Sequence, residues 1–134
     1  MEIYRSKYML INFTEQHNLI EMFWLPETKN ISEEEYKREV LNYLEKMLEY
    51  KPKKTIPDVR DLSFVVSIEL QEWVAREIFP PLIEMGLSKV AYVMAQDLVT
   101  QLSIEQAMDE GDGSKFTTCY FGSKEEARNW ILSE

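Results

Sequence analysis

The chain has 134 residues, of which 45% are hydrophobic and 29% charged, with a formal net charge of −9. That length suits one domain spanning residues 1–134, and that balance excludes a disordered or fibrous chain. The acidic surface repels phosphate backbones and anionic headgroups, so neither nucleic acid nor anionic lipid is an expected partner.

From the N-terminus, Met1 to Arg5 lacks the basic start and long apolar run of a signal peptide. No stretch approaches the roughly 18 apolar residues of a membrane span. The expectation is a cytoplasmic protein with no integral membrane association. Met9, Ile11 and Phe13 alternate with Tyr8, Leu10 and Asn12, which predicts a strand. A polar turn, Glu15 to Asn18, leads to a second apolar run from Leu19 to Leu25, giving a β-hairpin.

Ser32 and Glu35 then have the spacing of a capping box, with Ile31 and Tyr36 placed as a hydrophobic staple. Tyr36, Val40, Tyr43, Leu44, Met47 and Leu48 recur at helical spacing, so a helix is predicted from about Glu33 to Tyr50. Pro52 ends it. Lys51, Lys53 and Lys54 form a short basic cluster after it, read as solvated charge at the helix C-terminus.

Thr55 to Leu62 reads as a short strand, and Phe64 to Val66 as an apolar connection. Ser67 can cap a helix carrying Leu70, Trp73, Val74 and Ile78. Pro80 and Pro81 predict a break near Phe79, and Gly86 a left-handed close. Lys89 to Ala95 is a near-continuous apolar run suited to a central strand. Ser103 and Gln106 suggest a second capping box, opening a short helix through Ala107 and Met108. A loop at Gly111 to Ser114 and a strand from Phe116 to Phe121 follow. Ser123 and Glu126 suggest a third capping box, before a helix facing the core with Ala127, Trp130 and Ile131. The predicted order is β-β-α-β-α-β-α-β-α. It implies an α/β fold with a mixed, mostly parallel sheet of about five strands and about four helices.

Catalytic chemistry finds little to work with. The single histidine, His17, falls in the hairpin turn, whereas triad chemistry needs an oriented, buried imidazole. Cys119 is the single cysteine, so no intrachain disulfide can form, and it reads as a small hydrophobe within a strand. No ligand spacing suggests a metal, and no cofactor is expected. Asp109-Glu110 and Glu125-Glu126 read as solvated helix faces. Trp73 and Trp130 read as core. Trp24 is core if its strand is covered on both faces and an interaction surface if it is not.

Four stretches share a further pattern: Ser32 to Lys37; Asp58 to Phe64; Gln71 to Val74 with Gly86 to Val93; and Phe121 to Ile131. In order and spacing they resemble the SpoIIAA-like family, whose members have a STAS-type fold related to the anti-sigma factor antagonists. The resemblance covers nearly the whole chain. It implies a switch or binding module, and a topology shared with CRAL-TRIO lipid-binding domains. Phosphorylated STAS domains place an Asp-Ser pair at the helix start. The corresponding residues here are Val66 and Ser67, followed by Ile68 rather than glycine.

The candidate site residues follow from these patterns. Ser67 is a helix cap, or a phosphate or ligand contact at a helix N-terminus. Asp58, Arg60 and Asp61 lie at the C-terminal end of the third predicted strand. Gln96 and Asp97 close the next strand on the same edge, where open α/β sheets gather ligands. The expected function is a small non-catalytic binding or regulatory module of STAS-like type, with a protein partner or small ligand. The alternative is a carrier of a small apolar or lipid-like ligand in a CRAL-TRIO-like pocket. The hairpin edge offers a surface for homodimer pairing.

Overall fold

A computed structural model describes residues 1–95 and 116–133. The described elements are β1 (Glu2–Arg5), β2 (Met9–Thr14), β3 (Leu19–Trp24), α1 (Glu33–Tyr50), β4 (Lys54–Asp58), α2 (Ile68–Glu77), α3 (Phe79–Met85), β5 (Lys89–Val93), β6 (Thr117–Phe121) and α4 (Lys124–Leu132). The strands form one α/β mixed sheet in sequence order. β1, β2 and β3 pair antiparallel, and β3 through β6 pair parallel. The predicted features at Gln96, Asp97, Ser103 to Asp109-Glu110 and Gly111 to Ser114 lie outside the described residues.

Local chemistry sets the element ends. The Ser32 hydroxyl accepts from the Glu35 N–H at 3.1 Å, and the Glu35 carboxylate accepts from the Ser32 N–H at 2.9 Å. Both staple residues, Ile31 and Tyr36, are buried. Lys51, at φ 48°, closes α1 in the left-handed region and donates its N–H to Met47. The proline pair divides α2 from α3, and Gly86 ends α3 at φ 98°. At α4 the Ser123 hydroxyl accepts from the Glu126 N–H. The Glu126 carboxylate takes the Ser123 hydroxyl rather than its N–H, so the predicted box is half made.

The sheet departs from the predicted one in two places. Among the described residues it has six strands, because Glu2–Arg5 adds β1 against β2, with a bulge between Glu2 and Tyr4. Four residues flanked by an exposed Glu2–Arg5 ion pair carry little apolar alternation to read. This strand occupies the hairpin edge that offered a surface for a second copy. The new edge is short, charged and bulged, as protected edges are. The third predicted strand also ends early, at Asp58 rather than Leu62. There the Asp58 carboxylate accepts from the Arg60 N–H at 3.1 Å and turns the chain out of the sheet.

Strand alternation sorts the apolar side chains onto two faces. Met9, Ile11, Ile20, Met22, Trp24 and Val90 pack with residues of α1, α2 and α3. Leu19, Ile56, Ala91 and Val93 pack with Ala127 and Ile131 of α4. Glu21 also lies on the α4 face, 5% exposed. Arg128 reaches it at 2.9 Å and Lys124 at 3.8 Å. Arg128→Ala is expected to lower stability by about 2 kcal/mol in urea unfolding, because it leaves a buried carboxylate with only the distant lysine. A loss below about 0.5 kcal/mol would show that the pair does not hold α4 down.

Candidate functional site

The α1–α3 side of the sheet does not close into a solid core. A cavity of about 560 Å³ lies between the strands and the helices. Met22 and Trp24 of β3, Thr55 and Pro57 of β4, Val90 and Tyr92 of β5, and Tyr120 of β6 form its sheet wall. Tyr36, Val40 and Tyr43 of α1, Val74 of α2 and Leu82 of α3 form the opposite wall. The space reaches Val59, Leu62, Val66 and Met94, beyond the C-terminal ends of β4 and β5. That is the side of the sheet where the sequence placed a ligand.

Aromatic rings line much of this space. Trp24 and Tyr36 stack with ring centroids 5.2 Å apart, and Phe64 stacks on Tyr36 at 5.0 Å. Tyr92 stacks on Tyr120 at 5.4 Å. Trp24 is therefore a buried wall residue and not a surface contact. Burial pushes the Tyr36 phenol up to about 12 and also raises Tyr43 and Tyr92. The hydroxyls of Tyr43 and Thr55 share a hydrogen bond in the cavity wall.

The described candidates from sequence, Asp58, Arg60, Asp61 and Ser67, are not part of this lining. The buried Asp58 carboxylate takes the Arg60 guanidinium in a fork, at 3.0 and 2.7 Å. Alternation from Ile56 puts Asp58 on the α4 side of β4. This fork, with the Arg60 N–H, supplies Asp58 with three donors from one residue. Asp61 is exposed, and its carbonyl lies 3.1 Å from the Thr28 hydroxyl. The Ser67 hydroxyl accepts from the Leu70 N–H at 3.1 Å. Ser67→Ala is expected to cost about 1 kcal/mol in urea unfolding through loss of that cap. No loss at all would show the cap to be idle.

Thr28 is a residue that sequence reasoning missed. It is 1% exposed, its hydroxyl lies 2.8 Å from the Leu25 carbonyl, and it accepts from the Ser63 N–H at 3.0 Å. It pins the loop after β4, which carries the cavity residues Leu62 and Val66. Outside the cavity the same loop leaves Val65 88% exposed, and Ile68 at the start of α2 is 71% exposed.

Among the described residues, no group of three or more His, Cys, Asp or Glu is placed to hold a metal. His17 lies in a 3-10 turn between β2 and β3. Cys119 is half-buried in β6, where burial raises its thiol and Lys89 lowers it by less. Among the described residues, no helix is long and apolar enough to cross a membrane. The chain matches no protein-family model, no curated protein and no solved structure.

Proposed function

We propose that this chain is a non-catalytic module that binds a small, mainly apolar ligand between its sheet and helices α1 to α3. The observation that carries this reading is the cavity of about 560 Å³. Protein interiors normally pack at crystal-like density, with few voids larger than a water molecule. A volume in the range of ligand sites and an apolar, aromatic lining support a ligand role over a packing fault.

This reading favours the carrier alternative over a module that works through protein contacts alone. The SpoIIAA-like resemblance belongs to the proposal as the suggested family, with a cytoplasmic site of action. A binder is proposed rather than an enzyme because the polar side-chain groups of the described lining are four phenols, one threonine hydroxyl, one amide and one indole N–H. Acid–base catalysis uses groups of contrasting acidity, and these do not supply them.

Native mass spectrometry of protein purified from its own host tests the reading. The expected result is a retained small molecule, released on denaturation. Val40→Phe supplies the control, since Val40 lines the cavity from α1. In a packed core this change costs about 1–3 kcal/mol through overpacking. Here it is expected to leave stability unchanged or higher and to abolish retention. Overpacking by Val40→Phe together with ligand-free protein would sink the reading.

A further inference from the structure

The cavity's polar atoms say more about the ligand than its volume does. Among the described lining residues there is no Asp, Glu, Lys, Arg or His. An ion entering such a space loses its hydration with no counter-charge in return, which costs several kcal/mol. The net charge of −9 adds a long-range penalty for anions.

Ring faces offer a cation another form of stabilisation, as in the aromatic cages that bind quaternary ammonium groups. Part of the ring surface here is taken up by other rings. Trp24 and Phe64 both stack on Tyr36, and Tyr92 stacks on Tyr120. Tyr36 therefore has ring partners at 5.2 and 5.0 Å. The lining rings also carry the hydroxyls of Tyr36, Tyr43, Tyr92 and Tyr120.

Two of those hydroxyls have no hydrogen-bond partner among the described residues. They belong to Tyr36 and Tyr92, which both line the cavity. Neither oxygen is sealed away as an unsatisfied buried atom; among the described residues only Glu21 Oε2 is. Tyr36 on α1 and Tyr92 on β5 line the same space from its two walls, and burial raises both phenols. At neutral pH each is a protonated donor. The Tyr43–Thr55 pair holds two hydroxyl protons and uses one in its mutual bond, so a further donor is available beside them.

Resting on the cavity reading above, we propose that the site selects an uncharged ligand with an apolar body and one oxygen-bearing polar end, an alcohol or a carbonyl. That end accepts hydrogen bonds from the Tyr36 and Tyr92 hydroxyls, beside the Tyr43–Thr55 pair. Fatty acids and alkylammonium ions of the same length are disfavoured, because the described lining residues offer no counter-charge. A pure hydrocarbon fits but leaves the hydroxyls unpartnered.

The test uses the full chain and diphenylhexatriene, a fluorescent hydrocarbon with no polar atom. Saturable binding of this probe is the outcome that the cavity reading itself requires. Decan-1-ol, kept below its solubility limit, and decanoate and decyltrimethylammonium, each below its micelle concentration, are then compared as competitors at pH 7.5. The expected result is displacement by decanol at about one tenth of the concentration needed for either ion. In Tyr36→Phe/Tyr92→Phe the concentration of decanol needed rises about tenfold, while the ions, still without a counter-charge, remain poor competitors. Probe binding with decanoate or the ammonium ion as effective as decanol would overturn the inference and leave the cavity reading standing. Absence of probe binding would overturn both. Should the double variant fail to fold, the comparison of competitors on the parent chain decides alone.

Discussion

Trp24→Ala is expected to lower the stability of the fold by about 4 kcal/mol, the range seen when a buried tryptophan or phenylalanine is truncated. The indole is 4% exposed at the end of β3 and stacks on Tyr36 of α1. Its loss does more than remove apolar area. Tyr36 holds Phe64 on the loop after β4, so one deletion loosens the strand, the helix and the loop together. It also enlarges a cavity that already exists, which the surroundings cannot collapse to fill. In a domain of this size the melting temperature should fall by about 15 °C. Trp73 gives the comparison. It is only partly buried, with Lys37 lying 5.3 Å over its ring, and Trp73→Ala should cost about 1 kcal/mol. Equal losses from the two variants would contradict the placement of Trp24 in the cavity wall.

Alkali should unfold the protein through the same wall. The Tyr36 phenol sits at about 12 in the fold, against an ordinary value of 10.0. Below pH 10 the phenol is protonated in both states, and its full contribution is present. Between pH 10 and 12 the unfolded chain ionises first and is stabilised, so folding stability falls as pH rises. For Tyr36 alone the loss by pH 12 is about 2–3 kcal/mol. Tyr43 and Tyr92 are raised by the same burial and move stability in the same direction. The urea midpoint should hold from pH 7 to 9 and drop steeply above pH 10, in step with tyrosinate absorbance. Phenols that ionise near pH 10 without unfolding would show that this wall is open to bulk water.

Much of the architecture was legible because local signals and burial agree. The Ser32–Glu35 capping box, the proline break after α2 and the left-handed Gly86 are short-range chemistry, and each appears in the structure. β1 was not legible, since its pairing with β2 is non-local and its sequence is too short to alternate. The site was legible only as a location. The strand ends that the sequence suggested for a ligand lie near one end of the cavity, but the charged residues there, Asp58 and Arg60, are occupied with each other. Tyr36, Val40 and Tyr43 have the spacing of any buried helix face. Whether such a face meets a solid core or a cavity depends on how far the sheet stands from the helices, and no residue pattern records that distance.

The central claim is that the space between the sheet and α1 to α3 admits small apolar molecules. Methyl-labelled protein titrated with xenon or benzene tests it most directly, since dry apolar cavities bind both. Saturable shifts confined to Val40, Val74, Leu82 and Val90, with Ile56 and Ile131 under α4 unmoved, are the predicted result. Linear, unsaturated shifts spread evenly over both groups would contradict it.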